Sequence, residues 1–530
     1  MRKLFALLLF TFCYTHFYAY QRFTIRLEPS TLTSPPAVHS GVFGEYNGKW
    51  FFIGGRKNGL HGFQPPFAFP TNNVNNLIYV VDPATDQRWT APVNTLPDNI
   101  REPITSSNMQ FYLNDSMLYM VGGYGWKDSI QNFVTWPTLT AVNMNRLMDA
   151  VINAKPIDSL FRQITDSSLA ICGAHLAKLD STYYLIFGHR FNGYYDRSDT
   201  TGFFEQQYSN QIRKFKIADD GTNLSLYDYK AVTDTNNFHR RDYNLLPMYD
   251  VYRGDGFLVF GGVFRKNANL PFFTPIEIFK DTALVRNDFN QNLSQYHSAV
   301  CALNDSAGML QHDLFFGGMS MYYTDTITQT RVTDSLIPFV RTISNVARDL
   351  DFNYHEIDAG IQMPALLGTN AYFMYEPGIP MFRGKFVHLN KLPRRQRLGY
   401  ILGGIESPEL NISDTDPSLS FASTRVFEVY LDTIEAPNAV TEISNTVLNY
   451  IAYPNPTAEK VTIEFELPQA ANTRIELLDM KGALVKPIAN QSFNGGKQKL
   501  LLNVSDIAKG VYNCVITVNG TRKSIRLQKD

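Results

Sequence analysis

Cysteine is scarce in this chain, with four in 530 residues. Setting aside Cys13 in an N-terminal leader leaves Cys172, Cys301 and Cys514. An odd number leaves at least one thiol without an internal partner, and no C-x-x-C spacing occurs. A disulfide framework is therefore excluded as the main source of stability. A chain of this size builds its own core, and the thiols read as small buried hydrophobes. An excess of one charge is also lacking: Lys plus Arg is 48 and Asp plus Glu is 49, with no long basic run. That balance excludes nucleic acid and an anionic membrane surface as partners. No stretch approaches the roughly 18 uninterrupted apolar residues of a membrane span, so no transmembrane segment is expected in the mature chain. The ten histidines form no H-x-H, H-E-x-x-H or i, i+4 pair. There is no G-x-S-x-G elbow and no P-loop. No metal and no cofactor are expected.

What is present begins with an export leader. Met1-Arg2-Lys3 is a short basic segment, and residues 4–12 are apolar but too short to cross a bilayer. Phe17-Tyr18-Ala19 ends at a cleavage position, so residues 1–19 read as a removable signal peptide. Thereafter Tyr (29) and Phe (38) are abundant among clusters of Asn, Asp and Thr. This is the composition of many short strands joined by polar turns.

A repeat runs through residues 20–432. Apolar runs ending in glycine recur as Trp50 to Gly54-Gly55, Leu118 to Gly122-Gly123, a degenerate Leu185-Ile186-Phe187-Gly188, Leu258 to Gly261-Gly262, Leu314 to Gly317-Gly318, and Tyr400 to Gly403-Gly404. Taking Gly188 as the first glycine of its copy, the spacings are 68, 66, 73, 56 and 86 residues. Each run except the last is preceded by a polar turn and another strand-like segment; Asn47-Gly48 is the strongest hairpin signal. The first unit continues with an aromatic strand carrying Tyr79, then a turn, then Trp89.

In its Gly-Gly pairs, the later Tyr and the Trp, the chain resembles the kelch-repeat β-propellers. In that family the glycines end the second strand of each blade, where a side chain would crowd the next blade. The resemblance implies an all-β fold: a six-bladed kelch-like β-propeller with enlarged loops, because the spacings exceed the ~50 residues of kelch repeats. A propeller must close its ring, and the lone strand at residues 22–27 is expected to complete the last blade beside residues 423–431. Residues 139–154, between Pro137 and Pro156, are expected to be helical, with a weaker helix at 337–348.

After a linker at 433–450, residues 451–530 alternate as about seven short strands, a small immunoglobulin-like β-sandwich. Here Tyr453-Pro454-Asn455-Pro456, the turn at Gly482, Gly510-Val511-Tyr512 and a basic C-terminus occur in order. In these residues the segment resembles the type A C-terminal sorting domain of the bacterial type IX secretion system. The resemblance implies passage through the outer membrane by the type IX machinery, removal of the tail, and a product secreted or attached to the cell surface.

For the repeat region two arginine clusters are the candidate ligand-binding groups: His239, Arg240 and Arg241 before the fourth glycine pair, and Arg394 and Arg395 before the sixth. Arginine pairs grip carboxylates and phosphates bidentately; solvated turns are the plainer reading. Residues 411–416 cluster oxygens but lack the EF-hand glycine and glutamate, and read as a polar loop. The favoured expectation is a glycan- or protein-binding propeller without catalysis. The alternative is a carbohydrate-active enzyme, such as a sugar-acid mutarotase or epimerase, using the axial pocket. The copper-radical oxidases of the kelch class need a Tyr–Cys crosslink and histidine ligands that cannot be identified here.

Overall fold

Alternating residues of one strand point to opposite faces, so a strand buried on both faces must be apolar throughout. The runs before the glycine pairs behave this way. In Lys49–Ile53, Trp50 and Phe52 enter one core, while Phe51 and Ile53 enter another. In Met117–Val121, Leu118 and Met120 share a core with Phe51, whereas Tyr119 and Val121 face the following sheet.

The computed structural model describes residues 21–196, 204–433 except 294, 308, 326, 327, 329 and 413–415, and 448–530 except 481, 519 and 520. The signal-peptide segment 1–19 lies outside the described residues, as does most of the 433–450 linker. The chain forms two compact units that divide at residues 434 and 435.

The first unit is all-β apart from short helices. Its strands form six successive antiparallel meanders. Sheet 1 runs Val42–Tyr46, Lys49–Ile53, Leu77–Asp82, Gln87–Pro92, and sheet 2 runs Gln110–Asn114, Met117–Val121, Thr138–Asn143, Phe161–Thr165. Sheet 3 runs His175–Leu179, Thr182–Ile186, Gln211–Asp219, Leu224–Thr233, and sheet 4 runs Asn244–Asp250, Gly254–Phe260, Ile276–Ile278, Ala283–Val285. Sheet 5 runs Ala299–Asp305, Leu310–Phe316, Thr342–Arg348, Tyr354–Gln362, with Phe386–His388 added in parallel to its first strand. Sheet 6 takes Leu366–Tyr375, Arg395–Ser407 and Val426–Thr433 from one end of the unit and Phe23–Pro29 from the other. That N-terminal strand pairs antiparallel with the third strand from Phe23↔Thr433 to Pro29↔Phe427.

Six apolar cores lie between these sheets, each shared by two neighbours. Sheets 1 and 2 meet at Ile53, Val80 and Met120, and sheets 2 and 3 at Val121, Leu139 and Leu185. Sheets 3 and 4 meet at Ile186 and Val259, and sheets 4 and 5 at Phe260 and Phe315. Sheets 5 and 6 meet at Leu314, Phe316 and Ile401. The sixth core joins sheet 6 back to sheet 1 through Tyr400, Leu402, Trp50 and Phe52.

The glycine pairs stitch one sheet to the next. Gly55 N–H donates to Ser106 O at 2.9 Å, Gly123 N–H to Ile171 O at 2.8 Å, and Gly404 N–H to Val38 O at 3.3 Å. A Cβ on Gly317 would stand 1.8 Å from Leu367 O of the next sheet, and φ there is +61°. Both conditions require glycine. The degenerate copy is corrected here: Phe187 takes the first left-handed position (φ 51°) and Gly188 the second, with Gly188 N–H donating to Arg240 O at 2.9 Å. The aromatic ring is accommodated because it packs on Phe238 and Tyr243 in the core toward sheet 4.

Two helix expectations are corrected. Residues 138–143 form a strand paired on both sides; its β-branched and apolar residues fill both faces. The helix, α2 (Met144–Ile152), starts only where the Asn143 side chain accepts from Arg146 N–H at 3.2 Å. Leu147, Met148 and Val151 bury it against sheet 1. Residues 342–348 are a fully buried strand, not a helix. A helix the sequence reading missed, α1 (Asp98–Ile104), begins after Pro97.

The second unit has seven strands. Leu448–Tyr453, Lys460–Leu467 and Gly496–Asn503 form one sheet; Leu484–Phe493, Ala471–Leu478, Gly510–Val518 and Thr521–Lys529 form the other. Both contribute to one core, with Val461, Phe465 and Leu502 from the first and Ile475, Cys514 and Leu527 from the second.

Candidate functional site

In sheets 1 to 5 the first strand is preceded by a residue with a left-handed backbone, Ser40, Asn108, Gly173, Asp242 and His297, and in sheet 6 Asn370 takes the same conformation within Leu366–Tyr375; φ is 56°, 53°, 63°, 59°, 52° and 56° in that order. Four of them also donate their N–H to the carbonyl of the equivalent residue in the preceding sheet: Asn108 to Ser40 at 2.7 Å, Gly173 to Asn108 at 3.4 Å, Asp242 to Gly173 at 3.0 Å, and Asn370 to His297 at 2.7 Å. The six residues thus form a constriction to which every sheet contributes once.

Two cavities meet at this constriction and share Ser40, Asn108, Asp242, His297 and Asn370 in their walls. One, of about 200 Å³, is lined by residues in or just before the first strands, such as Phe43, Met109, His175, Tyr243 and Phe373. The other, of about 240 Å³, is the richer site. Its wall is aromatic: Phe63, Phe69, Tyr124, Phe191, Tyr195 and Phe264. His61 lies over the Phe69 ring at 4.4 Å and stacks on Tyr195 at 5.3 Å. Tyr124 and Phe191 come from two hairpins, Tyr124–Lys127 with Asn132–Thr135 and His189–Gly193 with Phe204–Tyr208, which extend the links between the second and third strands of sheets 2 and 3. These are the enlarged loops of the long repeat spacings.

The charges in this wall are few. Asp242 Oδ2 accepts from Arg241 Nη1 at 2.6 Å, and Arg241 Nε donates to the Tyr208 hydroxyl at 3.2 Å. His297 Nε2 approaches Asp242 Oδ1 at 3.0 Å; the approach is not in line for a hydrogen bond, and Oδ1 has no aligned donor. Burial alone would raise the Asp242 carboxyl, but His297 and Arg241 outweigh it and hold it well below the carboxylate range. Burial also opposes the charge on Arg241, and Asp242 more than offsets it. Arg56 is only 6% exposed. Its Nε donates to Asn58 Oδ1 at 3.0 Å and its Nη2 to Pro70 O at 2.6 Å, and burial lowers it to about 10. Three histidines are held neutral: His39 by burial and then by Arg56, at about 3; His61 by burial, at about 4; His189 by burial and then by Arg241, at about 3. Burial pushes the Cys172 thiol up to about 12, so it is an inert wall residue. Among the described residues no group of three or more His, Cys, Asp or Glu side chains is gathered to hold a metal ion.

Of the sequence candidates, only Arg241 lines the cavities. Arg240 is fully buried beneath the Phe272 ring, 4.0 Å from its centroid, and donates to Asn237 O and Gly261 O. These contacts brace sheet 4, and Arg240 is not in the wall of either cavity. His239 stacks on Tyr208 at 3.8 Å and contacts Asn210 Oδ1 at 3.0 Å, outside both cavities. Arg395 is exposed and pairs with Asp432 across sheet 6 at 2.6 Å, and Arg394 receives Thr433 N–H on its carbonyl. Neither lines a cavity. Residues 413–415 of the oxygen-rich loop lie outside the described residues. Sequence reasoning missed Arg56, His39, His61, His189 and Tyr195. Arg56 had one usable signal: it directly follows the first glycine pair.

In the second unit the sorting-motif residues tie the start of the segment to its end. Asn455 Nδ2 donates to Arg526 O at 2.7 Å, and Gln528 N–H donates to Asn455 Oδ1 at 2.8 Å. Tyr453 OH donates to Glu464 at 2.8 Å, Tyr512 OH donates to Ala508 O at 2.8 Å, and Gly482 turns the chain at φ 85°.

Comparison with known proteins gives one family match. Residues 451–529 match the model of the secretion system C-terminal sorting domain. No curated protein matches the chain. Among solved structures, that of YjhT has a TM-score of 0.42 at 9% identity, covering 76% of this chain and 98% of that one. A fungal alcohol oxidase of the AA5 family, in complex with copper, has 0.38 at 9%, covering 96% and 100%. PorZ, a surface component of the type IX secretion system of Porphyromonas gingivalis, has 0.28 at 10%, covering 95% and 61%. Scores this low leave the fold to rest on the sheets themselves. Among the described residues no helix is long and apolar enough to cross a membrane. Residues 451–529 are a type IX secretion sorting domain, and the chain is exported to the cell exterior, secreted or held at the outer surface.

Proposed function

We propose that the six sheets are the blades of a kelch-like six-bladed propeller closed by strand Phe23–Pro29, and that this propeller binds a small glycan-like ligand in its axial cavity outside the cell. Closure is supported by the sixth core, which joins sheet 6 to sheet 1. The observation that carries the binding reading is the 240 Å³ cavity, to which all six sheets contribute and whose wall combines stacked aromatic rings with buried polar groups. Aromatic faces receive the apolar faces of sugar rings, while a few fixed polar groups set orientation. The cavity is smaller than the roughly 300–1,000 Å³ of drug-sized sites, which suits one ring rather than an extended chain. A glycan panel presented to the full chain tests the reading. Wild type retains a monosaccharide-terminated glycan, and Tyr195→Ala weakens it by about tenfold or more. Binding unchanged by Tyr195→Ala and Phe69→Ala places the ligand elsewhere.

A second reading, a carbohydrate-active enzyme such as a sugar-acid mutarotase or epimerase, is favoured by one observation. A carboxylate and an imidazole, Asp242 and His297, stand 3.0 Å apart in the wall, and such a pair can hold and return a proton. Proton NMR of anomer or epimer exchange, with His297→Gln as the control, decides between binding and turnover.

A further inference from the structure

We infer that the ligand of the axial cavity carries a single negative charge and that Arg56, a residue outside the arginine clusters, is its anchor. This rests on the axial cavity being a ligand site. Among the described residues the cavity wall holds two guanidinium groups, Arg56 and Arg241, and they differ in one respect. Arg241 has its counter-ion, the Asp242 carboxylate at 2.6 Å. Arg56 has none: among the described residues no carboxylate stands within ion-pair distance of it, its hydrogen-bond partners are a carbonyl and an amide oxygen, and its guanidinium carbon lies 6.0 Å from the Phe69 ring centroid. Among the described residues Asp242 is the only carboxylate in the wall, and it is already committed to Arg241 and His297.

A buried charge without a partner is costly, and hydrogen bonds to neutral oxygens recover only part of the loss. Arg56 is nonetheless 94% removed from solvent, since its relative exposure is 6%. Nε and Nη2 are held by Asn58 and Pro70, which fixes the guanidinium plane. Nη1 is the nitrogen left without a protein acceptor, and it is absent from the atoms sealed away from solvent. The fork is therefore pre-organised, with one end open to the cavity. The neighbouring histidines do not share the anion, because His39, His61 and His189 stay neutral in their buried settings.

One uncompensated guanidinium matches one negative charge. A phosphate monoester carries about −1.5 to −2 at neutral pH and would need a second free cation. A carboxylate or a sulfate ester on a ring fits, with the ring face against Phe69, Tyr195 and His61. The charged group is the shared chemistry, and uronates and sulfated sugars are its two sources.

Calorimetric titration of the full chain with glucuronate, galacturonate, glucose 6-sulfate, glucose 6-phosphate and the neutral parent sugars tests this. The expected result is binding of a uronate or a sulfate ester at least about tenfold tighter than the matched neutral sugar. Arg56→Gln, which keeps polar contacts to the same loop, should remove that preference while retaining weak binding of the neutral ring and the wild-type melting temperature. If Arg56→Gln fails to fold, the wild-type preference decides alone. Equal binding of acid and neutral sugars overturns the inference but leaves the axial site standing. Tighter binding of the phosphate overturns the single-charge argument. Binding of none of these ligands overturns both the inference and the site.

Discussion

A methyl group at Gly317 would meet the Leu367 carbonyl at 1.8 Å, in a left-handed backbone that side chains avoid. Gly384 shares the left-handed backbone (φ +67°) but has nothing within 4 Å. The two separate a conformational effect from a steric one. Gly384→Ala should cost about 1–2 kcal/mol, and Gly317→Ala about 3 kcal/mol or more, since a neighbouring sheet must move. Chemical denaturation of both variants checks this; equal losses would mean that the glycine pairs do not space the sheets. A second residue-scale prediction concerns Asp313. It is fully buried in sheet 5 and its carboxyl is pushed up to about 7 by burial, against the Gln311 amide and Arg348. The folded value lies above the unfolded one near 3.9, so its contribution is full below about pH 4 and is lost as pH rises to about 7. Asp313→Asn should therefore gain stability relative to wild type across that window, with the two curves running parallel above it. A constant difference from pH 4 to pH 8 would show that the carboxyl does not titrate there. The glycine pairs were legible because steric exclusion leaves a mark in residue identity. Arg56 was not, because its lack of a carboxylate partner among the described residues is a fact of three-dimensional neighbourhood, and an arginine after a turn looks the same whether buried or solvated.

At the scale of elements, the second strand of each sheet was the easiest to recognise, since burial on both faces leaves no polar alternation. Residues 138–152 misled for a related reason. A doubly buried strand followed directly by a helix makes one long apolar stretch, and only the Asn143 cap separates the two. The strand at Phe23–Pro29 was visible as a lone strand without a hairpin partner, and it pairs along its whole length with Val426–Thr433. Phe23 and Ile25 are buried in the core between sheets 5 and 6. Deleting residues 21–29 exposes the edge of sheet 6 and opens that core, so it should lower the stability of the entire first unit by several kcal/mol. Unchanged melting would mean that the first unit does not depend on this pairing. The candidate arginines are scattered because sequence position before a strand does not say which side chains enter a cavity. Arg241 and Arg240 are adjacent, yet one lines the cavity and the other is sealed behind Phe272.

For the whole molecule, the two units answer different questions. The second carries the export signal, and its motifs were readable because they occur in order within one short segment. A chain ending at residue 433 should accumulate in the periplasm and be absent from the cell surface and medium; surface delivery of that truncated chain would remove the sorting role from residues 451–529. In the first unit the sixfold repetition was legible, whereas the cavity was not, since its wall is assembled from a few residues of each sheet and from hairpins whose sequences have no common pattern. The measurement that bears most directly on the account is a crystal structure of the chain with its tightest-binding sugar from the panel. The account predicts one ring lying against the cluster of Phe69, Tyr195 and His61, with its charged group on Arg56 Nη1. Density for that sugar on an outer sheet edge, with the axial cavity filled only by water, would contradict it.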